Sequence, residues 1–134
     1  MAGYSGTPLP RKLGIKEGSR LAVLHAPAHY RALVSPLPPG AKITARFDGE
    51  TDLVHVFVWR KRDLARFLAS AVEVMRGDAA IWVSWPKKAA RITTDITEDT
   101  IRALALPLGL VDIKVCAVDE SWSGLKLVIR KENR

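Results

Sequence analysis

Apolar residues along this chain fall into two rhythms, short uninterrupted runs and one long stripe at helical period. The run Ala79-Ala80-Ile81-Trp82-Val83 follows Gly77-Asp78 and closes on Ser84-Trp85-Pro86-Lys87-Lys88, which reads as a strand buried on both faces. Pro86 has no N–H to give to a ladder, so this strand is expected to end by Trp85. Asp52 to Trp59, DLVHVFVW, predicts a second central strand rich in β-branched and aromatic residues. Arg20 to Leu24 predicts another, and Lys42 to Phe47 alternates polar with apolar residues as a strand near a sheet edge does. Leu64, Phe67, Leu68, Ala71, Val72 and Met75 make one stripe, predicting a helix over Arg60 to Met75 with Gly77 as its left-handed stop.

Shorter signals fill the gaps. Arg11 to Ile15 can make a helical turn closed by Gly14, and His25 to Tyr30 leads into a short helix through Val34 that Ser35 to Gly40 breaks. Thr94 to Asp99 offers an N-cap with acids in the first turn, ahead of Ile101, Leu104 and Leu108; Pro107 and Gly109 end that helix. Val111 to Val118 and Gly124 to Arg130 read as an antiparallel hairpin. The order is therefore β-α-β-β-α-β-α-β-β. Right-handed crossovers turn that order into a mostly parallel sheet with helices on both faces. We expect one α/β domain over residues 11–134 behind an irregular lead-in over residues 1–10, and 134 residues suffice for a proper core.

Composition narrows the class. The 48% apolar and 26% charged residues fit a globular protein, and no window reaches the roughly 20 apolar residues of a membrane helix. The first residues lack the apolar segment of a secretory signal, so the expected compartment is the cytoplasm. Cys116 stands alone, which removes an internal disulfide and argues against a cysteine metal site; its apolar setting predicts a buried, inert thiol. Net charge is +7, and up to Phe47 the basic residues Arg11, Lys12, Lys16, Arg20, Arg31, Lys42 and Arg46 face Glu17 alone. Such a surface suits acidic or phosphate-bearing partners. No nucleic-acid-binding signature is present, so nucleic acid is not the expected partner.

The candidate chemistry collects at the carboxyl edge of the expected sheet. Strand ends there bring His25, Trp59, Arg60, Trp85, Lys87, Lys88, Asp119 and Trp122 together, with Glu120 beside them. Arg and Lys suit phosphate or carboxylate, and an indole offers a stacking or cation–π face. The same residues also have plain accounts: Trp59 and Trp85 as packing, Lys87 and Lys88 as a solvated loop. His25 with Asp119 would make an acid/base pair, yet no Ser or Cys nucleophile accompanies it, and no residue is assigned a catalytic role. His25, His29 and His55 lack ligand spacing, so no metal is expected, and His55 reads as a satisfied core residue.

Two resemblances add to this reading. The turn Leu13 to Gly18 before the first strand, and the closing strand-helix-strand-hairpin, resemble Rossmann-like methyltransferases. That resemblance implies a Rossmann-like three-layer α/β/α sandwich and a glycine-rich loop whose amides approach S-adenosylmethionine. Leu24 to His29 has no glycine, Asp48 alone could match the family's ribose-binding acid, and no Asn-Pro-Pro or Asp-Pro-Pro motif follows Asp52. No cofactor is therefore expected. Gly3 to Leu9, Trp82 to Lys88, Leu110 to Lys114, Val115 to Glu120 and Trp122 to Lys126 resemble a family of small bacterial proteins, domain of unknown function 3052. The reading favoured is a non-enzymatic module holding a small anionic ligand in a Trp-rimmed crevice. The alternatives are an adaptor for an acidic protein or a transferase-like enzyme.

Overall fold

The computed structural model describes residues 6–134, and in it the apolar runs assemble into one six-stranded sheet. In chain order the elements are α1 (Leu9–Leu13), β1 (Arg20–Leu24), α2 (Tyr30–Leu33), β2 (Lys42–Thr44), β3 (Leu53–Phe57), α3 (Lys61–Val74), β4 (Ala80–Pro86), α4 (Glu98–Ala105), β5 (Leu110–Ala117) and β6 (Trp122–Ile129). The strand order is β2-β1-β3-β4-β6-β5. The first four strands are parallel, while β6 runs antiparallel to both β4 and β5. This is the mixed sheet with a terminal antiparallel pair that the pattern predicts.

Every residue of β3 and β4 is buried, because helices cover both sides of the sheet centre. On one side Val54, Val56, Ile81, Val83 and Trp85 pack under Leu64 and Leu68 of α3 and Ile101 of α4. On the other, Leu53, Phe57 and Trp82 pack under Leu13 of α1 and Tyr30 of α2. Trp82 is fully buried, and its indole N–H donates to the carbonyl of Leu13 at 2.8 Å, pinning the end of α1 to the sheet.

Several boundaries differ from expectation for local reasons. Part of the lead-in expected over residues 1–10 lies outside the described residues (Met1 to Ser5), and Leu9 and Pro10 already belong to α1. β2 stops at Thr44, whose hydroxyl accepts the Arg46 N–H and turns the chain. Strand β4 includes Pro86, opposite Trp122 of β6. The Val58 N–H donates to the Ser84 carbonyl, and the next bond to β3 would need an N–H at residue 86; proline ends that ladder there. Helix α3 ends because Met75 turns extended (φ −73°, ψ 144°), not because of Gly77. Trp122 lies inside β6, so the hairpin connection is shorter than expected.

Candidate functional site

From β1 the chain passes to β2 on one side and then crosses to β3 on the other. Connections therefore diverge at the carboxyl ends of β1 and β3, the place where open α/β sheets form their ligand crevices. A cleft of about 480 Å³ opens there, the size of a small-molecule site. Phe57, Val58 and Trp59 form its floor at the end of β3, and His25 stands at the end of β1. His25 is exposed and holds a left-handed backbone (φ 59°), a conformation costly for a residue with a Cβ. Helix α3 supplies the remaining wall with Asp63, Arg66, Phe67 and Ser70. Their i, i+3, i+4, i+7 spacing makes them one helix face, beside the stripe of Leu64, Leu68 and Ala71 that the core buries.

The residues expected at one edge separate into two clefts. His25 and Trp59 share the first; Trp85, Lys87 and Lys88 line a second, of about 620 Å³, with Thr94 and Thr97. The divider is the segment at Thr94 and Asp95. The Thr94 hydroxyl donates to the Trp59 carbonyl at 2.7 Å, and Asp95 Oδ1 accepts the Lys61 N–H at 2.6 Å, capping α3 from a distant loop. Trp85 is 8% exposed and packs in the core on the α3/α4 side, so it offers little open ring. Trp122 is also buried, set edge-on against Phe57 (5.0 Å) and Trp59 (5.3 Å) on the α1/α2 side. Arg60 is exposed at the N-cap position of α3 and is not among the residues lining either cleft.

Asp119 does not meet His25. Its Oδ2 lies 3.1 Å from His29 Nε2, and its Oδ1 accepts the N–H groups of Ser121 and Trp122, both at 2.8 Å. Asp119 thus orders the β5–β6 turn, and the acid/base pair considered from sequence is replaced by a contact between two loops. His55 is fully buried between the Tyr30 hydroxyl (2.9 Å from Nδ1) and Ser84 Oγ (2.7 Å from Nε2). Burial pushes its pKa down to about 3 and raises that of Tyr30. A Ser-His-Tyr chain sealed in the core cannot meet a substrate. Cys116 is half-buried, and burial raises its thiol pKa against the pull of Lys12, Lys114 and Lys87. Among the described residues no three His, Cys, Asp or Glu side chains gather as metal ligands, and no helix is long and apolar enough to cross a membrane.

Known structures share this architecture. The chain is similar to the Bacillus subtilis M1A22 tRNA methyltransferase TrmK (TM-score 0.63, 14% identity, 95% of this chain and 67% of that one). It is also similar to a SAM-dependent methyltransferase from Aquifex aeolicus (TM-score 0.62, 13% identity, 90% and 87%). A third likeness is to Aeropyrum pernix fibrillarin, solved with S-adenosyl-L-methionine (TM-score 0.58, 17% identity, 93% and 70%). At these identities the likeness is one of fold. No curated protein matches the chain.

The residues present do not fit the cofactor that this fold implies. In the loop after β1, His25, Ala26 and Pro27 all carry side chains, and Pro27 has no N–H to offer. Asp48 lies at the opposite, amino edge of the sheet, in a turn where it accepts the Glu50 N–H and where Gly49 approaches the carbonyl of Val74 at the end of α3. The family described as protein of unknown function DUF3052 matches residues 42–131. This chain therefore belongs to the DUF3052 family, on a Rossmann-like methyltransferase fold without that fold's glycine loop.

Proposed function

We propose that the chain is a binding module holding a small anionic ligand with a flat, apolar part in the cleft between His25, Trp59 and α3. The observation that carries this reading is the position of Arg66. It faces the cleft at the topological switch point from a rigid helix, next to Trp59 and Phe67. Arg66 would take the anion, His25 would approach it from the β1 loop, and Trp59 with Phe67 would hold the flat part. Asp63 and Ser70 would accept from or donate to polar groups between. The ligand is not S-adenosylmethionine, given the loop after β1. Lys87 and Lys88, in the neighbouring cleft, would add positive potential without touching it.

The test is a tryptophan-fluorescence titration with AMP, acyl-CoA and S-adenosylmethionine, since Trp59 reports on the cleft. Saturable binding of AMP or acyl-CoA is expected, weakened about 10- to 100-fold in Arg66→Ala, the value of one charge-assisted hydrogen bond. A flat response to AMP and acyl-CoA, saturation by S-adenosylmethionine alone, or binding untouched by Arg66→Ala overturns the reading.

A further inference from the structure

The β5–β6 hairpin carries positive charge where sequence gives no sign of it. Along one row of the sheet, His55 pairs with Trp82, Trp82 with Lys126, and Lys126 with Lys114, so all four side chains share the α1/α2 face. Lys126 and Lys114 are thus direct cross-strand neighbours, an arrangement that costs stability for like charges. Around them stand Lys12, 8% exposed, whose carbonyl accepts from Lys114 Nζ at 3.0 Å, and Lys16 at the amino edge. Lys126 is half-buried. Its ammonium lies 6.0 Å from the centre of the Trp82 ring and close enough to Gly14 that an added Cβ would sit 3.1 Å away. Burial and the charges of Lys114 and Lys16 lower its pKa. Among the described residues no ion pair joins an acid to Lys16, Lys114 or Lys126: Asp52 and Asp78, in a pocket at the amino edge of the sheet, are held by Arg76, and Glu17 lies beside Lys16.

Capping accounts for only part of the cluster. Lys114 satisfies a carbonyl at the end of α1 but spends one of three N–H groups there, and Lys126 makes no such bond among those described. We infer that Lys114, Lys16 and the half-buried Lys126, with the buried Lys12 behind them, form a docking surface whose three accessible ammonium groups meet the phosphodiester backbone of a nucleic acid. The chemistry favours phosphate over carboxylate. All three are lysines, which meet phosphate as point charges, whereas carboxylates favour the planar fork of arginine. The shape favours a strand over a compact ion, because Lys114 is exposed on a strand at the sheet edge and the row runs from there towards Lys16. Among the described residues no exposed aromatic ring stands beside the lysines, since Trp82 beneath them is fully buried, so backbone contact without base reading is expected.

The experiment is fluorescence anisotropy of the full chain with a labelled single-stranded RNA 20-mer (about 20 nucleotides, longer than one binding site) over a salt series. With about three phosphates neutralised, the log–log salt slope is expected near about −2, a loss of roughly 16-fold between about 50 and 200 mM salt. The double variant Lys114→Gln/Lys126→Gln should flatten that slope to about −0.7 while leaving AMP titration of the His25–Arg66 cleft unchanged. Lys16→Gln, on the exposed loop, gives the same direction should the double variant fail to fold. RNA binding with an unchanged slope in both variants, or no RNA binding at low salt, overturns the inference. Preference for a poly-glutamate peptide or for anionic phosphatidylserine vesicles over RNA overturns it as well.

Discussion

At the scale of single residues, His55 shows how a polar group is kept inside. Its two ring nitrogens meet Tyr30 and Ser84, so burial leaves no bond unmade, and the cost falls on the charged form alone. In the unfolded chain the ring titrates near 6.5, against about 3 in the fold. As pH falls below 6.5 the unfolded state takes up a proton that the native state refuses, so stability present at neutral pH is lost on the way down to pH 3. Urea unfolding midpoints at stepped pH should fall more steeply for the native sequence than for His55→Gln, by up to about 1.4 kcal/mol per pH unit. Parallel curves would contradict the assignment. A satisfied core histidine was legible from sequence because His55 sits inside an apolar run; its partners, in α2 and β4, were not.

At the scale of elements, two contacts set the site's geometry. Asp95 caps the first turn of α3 from a loop whose Thr94 lines the second cleft and bonds the Trp59 carbonyl of the first. Asp95→Ala should cost about 1 kcal/mol in unfolding free energy. A loss within error would show that α3 starts without it. In the hairpin, a Cβ on Gly124 would lie 3.2 Å from both Trp82 and Val118, so Gly124→Ala should destabilise by about 1–3 kcal/mol in the same measurement. Element types were readable because each run or stripe keeps one period. Site composition was less so, and register explains why. Phe57 pairs with Ser84, which puts Trp85 out of phase with Trp59 and sends the two indoles to opposite faces. The spacing of Asp63, Arg66, Phe67 and Ser70 did stand in the sequence as one helix face. Only the topology, with β3 placed beside β1 and α3 crossing over from β3 to β4, set that face beside His25.

At the scale of the molecule, the chain shares the fold of methyltransferases, and its own residues line the cleft at the β1–β3 switch. The loop after β1 presents an imidazole in place of glycine, and α3 presents a guanidinium beside an indole. The basic excess of the sequence is also redistributed: lysines distant in the chain become neighbours across β5 and β6, on the sheet face opposite to α3. The most direct test of the central claim is an amide and indole NMR shift map of the full chain titrated with AMP. Saturable shifts at His25, Ala26, Arg66 and Ser70, with the Trp59 indole, are expected. Shifts confined to Lys87–Thr97 or to the Lys114/Lys126 row, or none at all, would contradict a ligand site at the β1–β3 switch.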